Sequence, residues 1–382
     1  MRDVYIVGLG FVQVKEHWGK SLRQLGARAI LRTLADAKEA TAGSLYVGNM
    51  LAGQVSAQEN LANLLADESG ILPIEAVRIE AACGSGGAAV RSATLAVASG
   101  AVESSLAVGV EKMTDVTGDH IAAGLATASD QDFEASFGLS FVAMAGLLMQ
   151  SYLHQTKRSR ADFAPFVVNA HKNAIHAEHA MFRSGVTIEQ YLRSPMAASP
   201  LGVLDAAPVC DGAAAVLVCS KEALKPHHKP IRIAGSAIAT DSISLAGRKS
   251  LSKLLSSEVS AAKALKQAQR SPSDIQLFEP HDAFTIMTAL ALEACGFAKP
   301  GTVLDMASAG AFDAQGQLPI CTMGGLKGRG HPVGASGVYQ IVEACLQLRG
   351  EGGKNQIPGV KRAMTQSIGG HGAVAVTHVL EA

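Results

Sequence analysis

The sequence predicts an α/β protein made of two similar halves, and three observations carry that expectation. The first is composition. The chain has 382 residues, 48% of them hydrophobic, with 39 Gly and only 4% aromatic residues, which suits tightly packed layers of small side chains. The second is patterning, because short apolar runs that read as buried strands alternate with stretches rich in Ala, Leu and Val that read as helices. The third is a repeat. Gly84, Gly87 and Gly100 recur at the same spacing as Gly334, Gly337 and Gly350. Each set brackets an apolar helix that is followed by a strand, residues 105–110 in one case and 362–366 in the other. A chain of this length exceeds one simple core, so two or more structural units are expected.

In order, residues 4–8 read as a buried strand, 21–38 as a helix, 44–47 as a strand and 58–67 as a helix. The apolar run 77–79 leads into a turn at Cys83. Residues 88–99 then form a helix that Gly100 stops. From 116 to 200 strand patterns become sparse, and the stretch reads as a helical excursion from the α/β core. Its His171, His176 and His179 are expected on a polar helix face, since spacings of five and three make poor metal geometry. Residues 214–219 return to strand, 226–230 read as a linker, and 231–239 open a second series of strands and helices.

Several function classes are disfavoured. Lys+Arg and Asp+Glu both number 33, so no global basic field draws nucleic acid or a membrane surface. The six cysteines (83, 210, 219, 295, 321 and 345) are scattered without a CxxC pair, which argues against a disulfide framework and a zinc site. No bound metal is expected. The first residues already form a strand pattern without a signal-peptide layout, and the longest apolar run, 141–149, is too short to span a bilayer. A reducing cytoplasm is the expectation.

The chemistry concentrates at four places. Ala81-Ala82-Cys83-Gly84-Ser85-Gly86-Gly87 sets a cysteine on a strand-to-helix turn, where free N–H groups and the helix dipole favour a thiolate. Small neighbours admit a large ligand, although a free Cys is usually a buried structural residue. Glu279-Pro280-His281-Asp282-Ala283-Phe284 follows a strand read at 276–278. Gly324-Gly325-Leu326-Lys327-Gly328-Arg329-Gly330-His331-Pro332-Val333-Gly334-Ala335-Ser336-Gly337 holds a histidine among glycines, which core packing explains poorly. Ser367-Ile368-Gly369-Gly370-His371-Gly372 can offer backbone N–H groups to an oxyanion.

Together and in this order, ACGSGG, GVEKM, HDAF, GGLKGRGHPVGASG and IGGHGAVAV resemble the thiolase superfamily. The resemblance spans the whole chain, with GHPxGxSG its most specific block. HDAF points to the branch of archaeal-type acetoacetyl-CoA thiolases and sterol-carrier-protein-like thiolases. The resemblance implies an α/β thiolase-like fold with its two halves stacked in five α-β-α-β-α layers, plus a helical loop domain. Residues 1–115 and 201–229 would form the N-terminal half, 116–200 the loop domain, and 230–382 the C-terminal half. The implied activity is that of an acetyl-CoA C-acyltransferase. Two acyl-CoA molecules condense, acetyl-CoA to acetoacetyl-CoA being the expected case, or a 3-oxoacyl-CoA is cleaved by free CoA. Cys83 would carry the acyl group. His331 would take the thiol proton and then, with His281, bind the thioester oxygen. The N–H groups of Cys83 and the Gly370 loop would form a second oxyanion hole. Coenzyme A enters as substrate, with no permanently bound cofactor. A homodimer or homotetramer is implied, and a small zinc-ribbon/OB-fold partner protein is a further possibility.

The sequence departs from the family at the second catalytic cysteine. One usual seat holds Ser367 and the other Ala283. Candidates for the proton-moving group are Ser367, His371, Cys321 and His281, with His281 favoured because imidazole titrates near the working pH. In the loop domain, Lys157, Arg158, Arg160 and Lys172 are candidates to meet CoA phosphates, against a solvated helix face. Two other readings stand beside the thiolase: a decarboxylating condensing enzyme of the ketoacyl synthase or hydroxymethylglutaryl-CoA synthase type, and a non-catalytic acyl-CoA-binding or scaffold subunit.

Overall fold

The computed structural model describes residues 2–382. Its strands in chain order are β1 (Val4–Phe11), β2 (Ser44–Gly48), β3 (Glu75–Ile79), β4 (Ser104–Glu111), β5 (Met196–Ala198), β6 (Leu201–Gly202), β7 (Gly212–Ser220), β8 (Ile231–Thr240), β9 (Leu277–Glu279), β10 (Arg362–Gly369) and β11 (Val374–Glu381). All but β5 and β6 join one sheet in the order β3-β2-β4-β7-β1-β8-β11-β10-β9. The first five belong to the N-terminal half and the last four to the C-terminal half. The seam is β1 against β8, paired at only two positions, Tyr5 with Arg232 and Ile6 with Ile231. So short a seam lets the two sheet halves diverge around whatever fills the space between them.

Two helices fill that space. Ser85–Ser99 and Ser336–Leu348 are the repeat read from the glycines. They pack on each other and touch strands of both halves. Val90, Val97, Val338, Ile341 and Val342 meet β1, β7 and β8 side chains in one buried cluster. Leu22–Ala37 and Leu61–Glu68 cover the outer face of the first half. Leu255–Ala268, with Thr285–Ala294 packed on it, covers the outer face of the second. These are the five layers that the resemblance implied.

The repeated glycines have a steric reason. A Cβ on Gly86 would come within 2.7 Å of the Gly334 carbonyl oxygen, and one on Gly337 would overlap the Gly87 nitrogen. The openings of the two central helices therefore touch backbone to backbone. Capping is equally local. The Ser21 hydroxyl accepts from the Gln24 N–H while the Gln24 side chain accepts from the Ser21 N–H, which starts Leu22–Ala37.

The stretch 116–200 is largely helical, with the β5–β6 hairpin at its end. It leaves the first half but packs on the second: Phe141, Leu148, Tyr152 and Phe163 share a buried cluster with Phe278, Phe284 and Leu290. The expected polar face of histidines is not what forms. His176 is exposed, but His171 stacks on Phe182, and His179 is buried against Glu343 at 2.7 Å.

Candidate active site

Cys83 sits between β3 and the first central helix. Ala82, immediately before it, has φ +49°, a left-handed conformation that costs a non-glycine residue about 1–2 kcal/mol. Local hydrogen bonds hold it there. The Ser85 hydroxyl accepts from the Ala81 N–H at 2.9 Å and donates to the Ala82 carbonyl at 2.5 Å, while the Gly84 N–H donates to the Ala81 carbonyl at 2.9 Å. The cysteine side chain is 2% exposed.

His331 comes from the equivalent opening of the second central helix. Its Nδ1 lies 2.7 Å from the Ser336 hydroxyl, which itself donates to the Pro332 carbonyl at 3.1 Å. With the hydroxyl proton directed to Pro332, Nδ1 carries the imidazole proton and Nε2 keeps its lone pair. Behind this turn, the buried Arg329 guanidinium lies over the Tyr339 ring at 4.8 Å and pairs with Glu343 at 2.9 Å.

His281 follows β9. Gln340 donates to the carbonyls of Glu279 and Pro280, at 3.1 and 2.7 Å. Asp282 accepts from the Leu326 N–H at 2.6 Å and from the Lys327 ammonium at 2.9 Å. These contacts fix the HDAF block. The His281 and His331 rings meet edge to face, with centroids 5.0 Å apart. One ligand atom from each of Cys83, His281 and His331 lies within 4.8 Å of the others. Three segments far apart in sequence thus converge on one point, a set of donors that can also hold a metal ion.

Burial dominates the electrostatics. It pushes the Cys83 thiol up to about 12, with the nearby Glu111 carboxyl adding to the rise, against the N–H groups of Cys83 itself and Gly370 at the sulfur. The helix end is therefore outweighed, and the resting group is a neutral thiol. Burial also holds His281 down to about 4 and His331 well below its ordinary range, the latter helped by His281 and Arg329. Both imidazoles are neutral at pH 7 and able to accept a proton, but burial takes His281 out of the working pH range in which the sequence placed it.

A cavity of about 220 Å³ opens onto Cys83 and His331. Ala283 and Phe284 of the HDAF block line it, as do Ile121 and Phe141 from the helical excursion. Its walls are mostly apolar, as an acyl chain requires. A larger groove beside Lys15, Trp18 and Arg28 contains none of the clustered residues.

The other sequence candidates fall around this centre. The Gly370 N–H reaches the Cys83 sulfur. Ala283 leaves an alkyl wall at one seat of the second cysteine. At the other seat, Ser367 is buried against Gly87 and Gly337, and its hydroxyl has no partner among the described residues. His371 lies against Phe141 at 4.0 Å, and burial lowers it to about 3. Cys321 faces the Asp282 carboxylate and is not among the residues lining the cavity. Of the basic loop residues, Arg158 pairs with Asp305 at 2.5 Å, and Arg160 with Asp205 at 2.8 Å. Sequence reasoning gave no role to Glu111 or Ser336. A lone acid ending an apolar strand, and a hydroxyl five residues beyond the motif histidine, were the available signals.

Residues 5–222 match the family described as thiolase, N-terminal domain, and residues 237–382 the family described as thiolase C-terminal domain-like. The chain belongs to the thiolase family. It is 40% identical to an acetyl-CoA acetyltransferase of Methanothermobacter thermautotrophicus over 99% of both chains. It is 37% identical to an acetyl-CoA acetyltransferase of Methanocaldococcus jannaschii, over all of this chain and 99% of that one. The solved structure titled "Ltp2-ChsH2(DUF35) aldolase" shares the fold with a TM-score of 0.86 at 24% identity, covering all of this chain and 98% of that one. As a thiolase, the protein is an acyl-CoA C-acyltransferase that runs thiolase-type condensation or cleavage. No helix among the described residues is long and apolar enough to cross a membrane.

Proposed function

We propose that the protein interconverts two molecules of acetyl-CoA with acetoacetyl-CoA and free CoA through an acyl-Cys83 intermediate. The observation that carries this reading is the convergence of Cys83, His281 and His331 within 4.8 Å, with Cys83 and His331 lining a small apolar cavity. His331 Nε2 takes the thiol proton as sulfur attacks the thioester. Removal and attack are coupled, because a buried thiol held near 12 does not ionise on its own at neutral pH. The N–H groups of Cys83 and Gly370 receive the developing oxyanion. In the second half-reaction His281 moves the α-proton, being the candidate base that shares the cluster with the sulfur. Metabolite levels set the direction.

The acting unit is a homodimer or homotetramer. Supporting this, β3 is a sheet edge and its Val77 is 43% exposed. A small zinc-ribbon/OB-fold protein is a candidate partner for holding CoA. A cytoplasmic setting fits six cysteines that are all free. The test is cleavage of acetoacetyl-CoA by CoA using the purified chain, with Cys83→Ala as control. Turnover lost in the variant supports the reading. Absent turnover with Cys83 still acylated in a mass spectrum points to a required partner or another acyl chain. Neither turnover nor acylation overturns the reading and leaves a non-catalytic acyl-CoA binder.

A further inference from the structure

Cys83, His281 and His331 offer one sulfur and two imidazole nitrogens around a single point. We propose that these three side chains also form a binding site for a zinc-type divalent cation, and that filling it switches the enzyme off. The inhibitory part rests on the catalytic roles proposed above, whereas the binding part rests on geometry alone.

One thiolate and two imidazoles make a donor set that borderline-soft ions prefer and that magnesium and calcium do not. Bonds of roughly 2.0–2.3 Å to a tetrahedral zinc place neighbouring donors about 3.5 Å apart. Here no pair exceeds 4.8 Å, so small side-chain rotations close the difference. His331 binds through Nε2, because Nδ1 is committed to Ser336, the kind of hydrogen bond that fixes a metal-binding imidazole. His281 Nδ1 is buried with no partner among the described residues. The cavity leaves a fourth position for water. A second cluster, Glu39 with His227 and His228, lacks this character because the Lys225 ammonium already sits 2.6 Å from Glu39.

On binding, the Cys83 S–H bond breaks, a sulfur–metal bond forms, and one proton leaves to solvent. Both imidazoles stay neutral and no electron moves. The metal then draws electron density from the sulfur and blocks its approach to a thioester, and the His331 lone pair is occupied. An acyl group on Cys83 and a metal exclude each other, so acyl-CoA protects the enzyme.

Cobalt(II) is the probe, added to the full-length protein without oxygen. The expected result is a thiolate-to-cobalt charge-transfer band with the visible bands of a tetrahedral ion, saturating at one cobalt per chain. Zinc should displace it and magnesium should not. Cys83→Ala should lack the band and Cys321→Ala should keep it. Ser336→Ala should bind about 10–100-fold more weakly. Zinc should abolish thiolysis with the same stoichiometry, a chelator should restore it, and prior acylation should block the cobalt spectrum. No band, or a band that survives Cys83→Ala, overturns the proposal. Because the spectrum needs no turnover, a protein that binds cobalt but never cleaves acetoacetyl-CoA would sink only the catalytic reading.

Discussion

Glu111 and Gly334 meet across the boundary between the halves, with the Gly334 N–H donating to Glu111 Oε2 at 3.0 Å. The same carboxyl also accepts from Asn49 Nδ2 and from the N–H groups of Met50 and Leu51, at 2.8, 2.9 and 3.1 Å. One buried acid at the end of β4 thus ties β2 to the turn that carries His331. Glu111→Ala strands these donors, each costing about 1–3 kcal/mol when buried without a partner. A fall in thermal stability, with a loss of kcat larger than any change in KM, is expected from calorimetry and steady-state kinetics. Unchanged melting would show that water replaces the carboxyl without penalty.

Ser336→Ala removes the acceptor that fixes the His331 tautomer. Nε2 is then protonated in part of the population, and kcat should fall by up to about 10²-fold, the lower end of a general-base contribution. Melting should stay near that of the parent, and Ser336→Thr should recover much of the rate. A kcat equal to the parent's would remove Ser336 from the mechanism.

Cys83 should resist alkylation at neutral pH. A free thiol titrates at about 8.5, whereas burial and Glu111 move this one to about 12. Inactivation by iodoacetamide should therefore be slow at pH 7 and rise about tenfold per pH unit, without a plateau below pH 10. A plateau near 8 would show that the sulfur titrates as if exposed.

Acid should destabilise the fold well above the usual carboxylate range. His281, His371 and His378 are held at about 4, 3 and 4, and His331 is held well below its ordinary value, in each case chiefly by burial. Such groups bind protons in the unfolded chain first, so their stabilising effect is complete above pH 6.5 and declines as pH falls. Glu111 and Glu279, raised to about 7 and 8 by burial, act oppositely by staying protonated in the fold. The four histidines outweigh the two carboxyls only as pH falls: net uptake on unfolding grows from well under one proton at pH 6.5 to about two near pH 5, where the slope reaches roughly 2–3 kcal/mol per pH unit. Melting temperatures across that range test the sign, and a flat or rising profile on acidification would refute it.

Gly337→Ala should damage stability and turnover together. Its new methyl overlaps the Gly87 nitrogen, where neither helix opening has a flexible side chain to move aside. Overpacking of this kind costs about 1–3 kcal/mol or more, and the shift passes directly to Cys83 and His331. Gly19→Ala is the control, because nothing lies within 4 Å of the position its Cβ would take and its φ is outside the left-handed region. Equal effects at both positions would dismiss the steric account.

Much of this was legible in the chain. Strands and central helices were readable because buried β-strands and Gly-stopped helices leave local patterns, and the glycine repeat marked the two helix openings. Residues 116–200 were readable as helical but not as a cover for the second half, since packing partners leave no mark in local periodicity. The helix end beside Cys83 is visible in sequence, whereas the desolvation that outweighs it depends on side chains brought in from distant segments, Met50, Leu51, Met113 and Ile121 together with Val333 of the other half. Glu111 was hidden for the same reason, three of its donors being backbone N–H groups. The cysteine-and-two-imidazole cluster escaped any spacing rule because its members lie in three distant segments.

The two helix openings also invite comparison position by position. Aligned on their glycines, Cys83 corresponds to Val333 and His331 to Ala81. Each half therefore carries one member of the Cys83–His331 pair and holds an inert side chain where its counterpart has the other. On the proposed roles the pseudo-twofold scaffold divides the labour between its copies, nucleophile in one and base in the other, so that neither copy alone holds the whole pair.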